Sequence, residues 1–420
     1  MKATVTSWDD ASTNSGNVVN ETHFTYNNFG QLTHDYQAHS GTVNVMTTPK
    51  VQYAFASGAD NTIRPTSVTY PDGRVISYDC GGHVSRYRLF DRSRLQLADL
   101  NDRESDVGTS NIVALQPVSV CVPTIDHVVA AIVAARNAGH PVIMMIGGHP
   151  IKLGLSRFLI QLMESGYITC LATNGAGIIH DFELAAFGET SENVSRWIKT
   201  GQFGLWQQTD QLNQIVNAGC KANEGLGEAT GRWIEEKKLP HRNISVAAAA
   251  WRSGVPMTCH VSIGSDIFHG YPNCNGAALG QVSHTDFLIF AKQIQDLEGG
   301  VFLNVGSAVT GPEVYLTALS MARNVARQNG ETISDFTTAV LDVVELPENW
   351  VDGPGRPPQG KNAATSTHPM YYFRPWKTIL CRTVNDGGRS YYIRGDHRQT
   401  IPALWQGLCH RNAPENRDSV

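Results

Sequence analysis

The residues with the strongest chemical potential stand where apolar runs stop at glycine. Tyr167-Ile-Thr-Cys-Leu-Ala-Thr-Asn-Gly-Ala-Gly-Ile-Ile-His-Asp-Phe-Glu183 reads as a strand, a glycine turn and the start of a helix over 179–187. Gly175 and Gly177 carry no side chain to keep a ligand away, and the helix start offers unpaired N–H groups to an anion. Four more segments repeat the pattern: Ile151-Lys-Leu-Gly-Leu-Ser156, Val261-Ser-Ile-Gly-Ser-Asp-Ile-Phe-His-Gly270, Leu303-Asn-Val-Gly-Ser-Ala-Val-Thr-Gly-Pro-Glu313 and Tyr392-Ile-Arg-Gly-Asp-His397. Asp266 and His269 bring an acid and an imidazole together on one turn. Five such strand ends on one sheet edge suit a nucleotide-sized ligand, although any one alone is ordinary turn chemistry.

The elements that must position these residues follow from the hydrophobic pattern. Thr124–Gly139 has a capping Thr, helix formers and a closing Gly; Pro141-Val-Ile-Met-Met-Ile-Gly-Gly148 is a buried strand. Helices are expected at 155–165, 284–297 and 312–328. Strands are expected at 167–173, 256–263, 300–306, 337–344, 377–384 and 390–394. The alternation implies an α/β domain: a Rossmann-like, doubly wound, mostly parallel sheet with ligands at the strands' carboxyl ends.

Residues 1–97 differ, being rich in Thr, Ser, Asn, Tyr and Gly with short alternating runs. This is strand-and-turn composition, a β-rich fragment before a catalytic domain spanning 98–420. Tyr26-Asn-Asn-Phe-Gly-Gln-Leu32 and Thr69-Tyr-Pro-Asp-Gly-Arg-Val-Ile-Ser-Tyr-Asp79 resemble the tyrosine-aspartate repeats of RHS-type proteins. Two units are fewer than the three or more that stacked repeats need.

Composition narrows the classes. Hydrophobic residues make up 41% of 420 and the net charge is −5 with dispersed Lys and Arg, so no nucleic-acid or anionic-membrane footprint is present. The N-terminus has no apolar h-region and no run approaches a membrane span of roughly 18 residues. Eight scattered cysteines without Cys-x-x-Cys indicate reduced thiols and a cytoplasmic protein. Cys259-His260 and the pair His269 and Cys274 lack matched zinc spacing, so no metal is expected.

The ordered set from Val142 to Leu404 resembles the deoxyhypusine synthase family, with its NAD-binding fold. Gly154-Leu-Ser156 is similar to that family's Gly-Leu/Tyr-Thr-Ser motif, and Thr173-Asn-Gly-Ala-Gly177 to its Thr-Thr-Ala-Gly-Gly loop, with Asp181 in register. Gly264-Ser-Asp-Ile-Phe-His269 resembles Gly-Asp-Met-Ile-Phe-Phe-His, and Val305-Gly-Ser307 the glycine triplet. Gly395-Asp-His-Arg-Gln-Thr-Ile-Pro-Ala-Leu404 matches the closing element, whose aspartate contacts the cofactor's adenosine end.

The resemblance implies NAD as cofactor, bound by Ser156, Thr173, Asn174, Gly175, Ala176, Gly177, Gly306, Ser307 and Asp396. It implies an aminobutyl group taken from a spermidine-like polyamine, held as an imine on Lys377 beside Trp376, and passed to an acceptor amine on a protein lysine or a small molecule. Among aromatics such a lysine would have its pKa lowered and become a nucleophile. Asp266 and His269 are expected to orient substrate and move protons, with Asp181, Glu183 and Glu313 as further carboxylates for the amine. A homotetramer with active sites at subunit interfaces is also implied.

The chain departs from the family where Ile179-His180 replaces two adjacent glutamates, around Pro312-Glu313 where a histidine is replaced, and in the Pro- and Gly-rich stretch 352–361. The competing readings are a sirtuin-like NAD-dependent deacylase, an RHS-delivered toxin module that consumes NAD, and a non-catalytic NAD-binding protein.

Overall fold

The computed structural model describes residues 4–10, 15–27, 30–55, 65–77, 87, 89–119, 123–346, 367 and 370–410. Asn28, Phe29, Tyr78 and Asp79 of the repeat-like segments, the stretch 352–361, Cys80 and Cys121 lie outside them. The chain divides into two compact units, Met1–Asp91 and Arg92–Val420. Residues 92–97 belong to the second because the Arg92 guanidinium donates to the carbonyls of Tyr271 and Cys274, both at 3.0 Å.

The first unit is an antiparallel meander whose strands lie side by side in chain order: β1 (Thr4–Asp10), β2 (Ser15–Tyr26), β3 (Leu32–Ala38), β4 (Lys50–Phe55), β5 (Pro65–Thr69) and β6 (Val75–Ser77). Pro71-Asp72-Gly73 closes the last hairpin, Gly73 taking φ +81° and Tyr70 N–H bonding Arg74 C=O. Among the described apolar side chains only Tyr36 and Val68 are buried in this unit. Tyr36 is flanked by His23 and His34 and carries the Lys50 ammonium 5.3 Å above its ring.

In the second unit β7 (Ser105–Gly108) and β10 (Glu189–Glu192) form a small antiparallel ribbon. The main sheet holds β8 (Val142–Ile146), β9 (Cys170–Asn174), β11 (Met257–His260), β12 (Val301–Val305), β13 (Thr337–Asp342) and β14 (Arg389–Arg394). All its pairings are parallel and the order is β11-β9-β8-β12-β13-β14. Counted along the chain this is 3-2-1-4-5-6, the doubly wound order, which reverses direction between β8 and β12.

The α-helices among the described residues are, in chain order, α1 (Pro123–Ala138), α2 (His149–Lys152), α3 (Ser156–Glu164), α4 (Gly175–Phe187), α5 (Val194–Trp197), α6 (Gln211–Ala222), α7 (Leu226–Glu236), α8 (Val246–Ser253), α9 (Gly276–Gln295), α10 (Thr310–Gln328) and α11 (His397–Trp405).

Both sheet faces are dry, which is why the strands read as continuous apolar runs. Val142, Met144 and Ile146 enter one core cluster with Leu171, Leu303 and Leu341, while Ile143 and Met145 enter the other with Phe302, Phe290 and Tyr315. The alternation is the two-residue period of a strand.

Two local expectations need correction. Asn174 caps α4 directly, its Oδ1 accepting the Gly177 N–H at 3.1 Å, so Gly175-Ala-Gly177 is the first helical turn rather than a loop before 179. Residues 377–384 are no strand: Pro375–Arg382 form a π-helical turn. Trp376, Ile379, Leu380 and Val384 are buried on one side, a helical spacing hidden inside a short apolar run.

Two buried acids on these helices serve the scaffold. Asp181 on α4 accepts from the Ser245 hydroxyl and Val246 N–H, each at 2.6 Å, and from Ala247 N–H at 3.1 Å. It satisfies the first turn of α8 from outside, against a burial that pushes its carboxyl up.

Asp286 on α9 accepts Gly227 N–H at 3.1 Å and Cys259 N–H at 2.9 Å on one oxygen, and the other has no partner among the described residues. Burial pushes this carboxyl to about 8, from an ordinary value of 3.8. The native state therefore keeps a proton that the unfolded chain releases near its ordinary value. Its stabilising contribution is complete below that value and is lost as pH rises towards 8. Urea midpoints are expected to fall from pH 5 to pH 8 in the natural protein and to fall less in Asp286→Asn. Equal slopes would mean that Asp286 is ionised in the folded protein.

Candidate functional site

The site lies where the sheet order reverses. Gly147-Gly148 leave β8 and Gly306-Ser307 leave β12, with Gly147 N–H bonded to Val305 C=O at 3.0 Å. A Cβ on Gly147 would stand 2.3 Å from the Gly306 carbonyl oxygen, so two bare backbones meet at the floor. Gly306 takes φ +62°, and a Cβ there would stand 2.5 Å from His397 Nε2.

Between these ends opens a cleft of about 340 Å³ that also touches His149 and Lys152 of α2, Asn174 at the end of β9, Ala176 and His180 of α4, and Thr310 at the start of α10. Its volume falls in the range of small-molecule sites, roughly 300–1,000 Å³. Two helix starts and the lysine give it a positive character suited to phosphate oxygens.

A second cleft of about 260 Å³ shares Lys152, Ala176 and His180 with the first and adds Arg103, Glu183, Glu192 and Asp266. Asp266 rests on the bare face of Gly175, where a Cβ would stand 2.1 Å from its carboxylate carbon. Burial raises its carboxyl to about 6, with only a long 3.4 Å bond from Ser262 N–H opposing. His269 stands beside it, Nε2 3.6 Å from Asp266 Oδ2, and its Nδ1 accepts Gly264 N–H at 3.2 Å. Burial lowers the His269 imidazole.

Glu192 uses one oxygen on Gly204 N–H and Trp206 Nε1 while the other is buried without a partner among the described residues; burial pushes this carboxyl up. At the back, Arg103 and Glu183 form a buried ion pair at 2.8 Å.

Of the residues expected to bind cofactor, Asn174, Ala176, Gly306 and Ser307 line the first cleft. Gly175 seats Asp266, and Gly177 accommodates the buried hydroxyl of Thr173, which its Cβ would meet at 2.0 Å. Ser156 is wholly buried at the head of α3. Asp396 lies elsewhere, capping α11 and bonded to Arg398 at 2.9 Å on the surface.

Of the expected substrate residues, Asp181 is consumed by α8, Glu313 is exposed in an ion pair with Arg374 at 2.6 Å, and Trp376 is fully buried in the core. Lys377 lines neither cleft; its ammonium stands 4.3 Å over the Tyr371 ring. The lining residues with titratable side chains given no role by the sequence are His149, Lys152, His180, Arg103 and Glu192. The first two carried a faint signal as basic residue types three apart directly after a Gly-Gly strand end.

No family model and no curated protein matches this chain. Among solved structures it is similar to ArgZ, an arginine dihydrolase from the ornithine–ammonia cycle in cyanobacteria, at 14% identity and TM-score 0.39 over 69% of this chain and 33% of that one. It thus spans about a third of that protein. A LOR/SDH protein from Methanococcus maripaludis gives 14% and TM-score 0.41, with 71% and 73% covered. A provisionally assigned deoxyhypusine synthase from Entamoeba histolytica gives 9% and 0.38, with 68% and 86% covered. Likeness of this degree assigns nothing to individual residues of this chain.

Proposed function

We propose that this protein binds NAD in the first cleft and oxidises an amine seated in the second, as a deoxyhypusine-synthase-like transferase of a polyamine's aminobutyl group. One observation carries the reading: a glycine-floored, cation-bearing cleft at the sheet's reversal point shares Lys152, Ala176 and His180 with a cleft lined by three carboxylates. Gly147, Gly148 and Gly306 let backbone approach a pyrophosphate, and Lys152 with the starts of α4 and α10 would balance its charge. Bound there, NAD would accept a hydride from the carbon beside the substrate nitrogen.

Asp266 and Glu192 are the carboxylates with spare acceptor capacity, and they would hold the ammonium groups. Glu183 is already occupied by Arg103 and two threonine hydroxyls. The replaced glutamate pair at Ile179-His180 is thereby compensated from other elements.

The test is to incubate the full chain with NAD and labelled spermidine, follow NADH, and reduce with borohydride. NADH that depends on spermidine supports the reading, and label trapped on the natural protein but absent from Lys377→Arg identifies Lys377 as the imine-forming amine. Because the Asp266 carboxyl ionises about pH 6, the amine KM is expected to rise as pH falls through 6, and Asp266→Asn to abolish that rise. Nicotinamide release would indicate a deacylase instead, and NAD binding without any amine turnover would sink the proposal.

A further inference from the structure

His180 borders both clefts, and its surroundings fix the form of its ring. The Thr190 hydroxyl donates its single hydrogen to Glu183 Oε2 at 2.7 Å. The 2.8 Å contact between that same hydroxyl oxygen and His180 Nδ1 must therefore be donated by the imidazole. With its hydrogen on Nδ1, neutral His180 carries a lone pair on Nε2, and Nε2 has no hydrogen-bond partner among the described residues. The ring edge next to it faces Gly148, whose Cβ would stand 3.3 Å from Cδ2.

Glu183 is in turn held by Arg103 at 2.8 Å and by the Thr209 hydroxyl at 2.8 Å, so the chain of bonds has a rigid end. Helix α4 contributes His180 and Glu183, the ribbon strand β10 Thr190 and the segment before β7 Arg103. Sequence separation runs from 7 to 80 residues along these contacts. Supporting an N-cap or filling a core would require neither a directional relay nor an open nitrogen at the junction of two clefts.

We propose that His180, held in its Nδ1–H form by Thr190 and Glu183, accepts the proton of the substrate nitrogen at the junction of the clefts. The inference rests on the amine reading above and adds the group that readies the amine. In this step an N–H bond of the substrate ammonium breaks, its electron pair stays on nitrogen, and the proton passes to Nε2. No oxidation state changes. The resulting imidazolium faces the Glu183 carboxylate through Thr190, and the proton leaves by the open cleft. The nitrogen is left with the free pair that a carbon–nitrogen double bond needs.

The groups facing His180 are Glu183 on its own helix, Lys152 and His149 on α2, and Arg103. Burial lowers the ring most, Lys152, His149 and Arg103 lower it further and Glu183 opposes them, which brings it down to about 4; His180 is thus neutral over the physiological range and holds an accepted proton only in passing. Thr190 and Glu183 are positioning residues, acting through the imidazole.

Nitrogen-detected NMR of the free protein tests the arrangement without any ligand. The His180 ring is expected as the Nδ1–H tautomer, to lose that preference in Thr190→Val and to keep it in Thr190→Ser. An Nε2–H tautomer in the natural protein, or an unchanged one in Thr190→Val, overturns the proposal whatever the activity. With NAD and spermidine, His180→Gln is expected to lower kcat by about a hundredfold or more with NAD affinity within twofold. Thr190→Ser is expected to retain most of the turnover that Thr190→Val loses. Equal loss of NAD affinity in His180→Gln would make His180 a cofactor contact and overturn the proposal. If spermidine is not turned over by the natural protein, the amine reading and the proton-transfer step both fall, while the tautomer result still reports the relay.

Discussion

Truncation of Glu183 to alanine is expected to lower the stability of the second unit by about 3–5 kcal/mol, the range for removing one partner of a buried ion pair. Arg103 and Glu183 are each 1% exposed at the side chain, so the surviving guanidinium would stand in the interior without its ion-pair partner. Thr190 and Thr209 would lose their acceptor in the same change. Arg103 already has one terminal nitrogen without a partner among the described residues, and Glu192 of the same cleft makes no hydrogen bond to it.

Replacing both members by methionine should recover much of the loss, since a desolvated pair is seldom better than apolar packing of similar volume. The exposed pair Lys292–Asp296 is the contrast: Asp296→Asn should change stability by less than about 1 kcal/mol. Urea unfolding of the single and double variants decides the matter. A Glu183→Ala midpoint within error of the natural one would mean that water reaches the pair.

The parallel sheet was legible because its strands are buried on both faces. Val142–Ile146 leaves no polar residue to obscure the run, and the glycines at 147, 148 and 306 mark places where a side chain cannot fit. The π-helical turn at 375–382 was misread because Thr378-Ile-Leu-Cys381 carries an apolar run too short to distinguish periods of 2 and 3.6.

Roles of acids were the least legible. Asp181 and Glu183 stand two residues apart on one helix, yet one caps α8 and the other neutralises an arginine 80 residues earlier. Asp396 and Glu313 follow strand ends as convincingly as Asp266 does, but each is spent on an exposed arginine. What separates Asp266 is its place on the bare face of Gly175, a tertiary fact absent from spacing. Lys152 and Glu192 enter the site for the same reason, through the meeting of segments that the chain order keeps apart.

The glycine at the floor of the first cleft carries the other large expectation. Gly147→Ala should destabilise the second unit by about 3 kcal/mol or more and reduce NAD affinity at least tenfold. The added Cβ would lie 2.3 Å from the Gly306 oxygen and 3.1 Å from its carbonyl carbon, both backbone atoms. No rotamer change can relieve such a contact. Relief requires β8 and β12 to part at the point where Val305↔Ile146 pairing ends, and overpacking of this kind sits at or above the usual range of about 1–3 kcal/mol. The same displacement would widen the gap that the pyrophosphate is proposed to bridge, which couples the two losses. Gly276→Ala supplies the control, because nothing lies within 4 Å of its Cβ position and α9 is already helical there. That variant should match the natural protein or gain about 0.4–1 kcal/mol from a stiffer unfolded chain. Calorimetric melting with an NAD titration of both variants separates the outcomes. Native stability with lost NAD binding in Gly147→Ala would place the clash in the ligand's path rather than between the strands, and retention of both would remove Gly147 from the site.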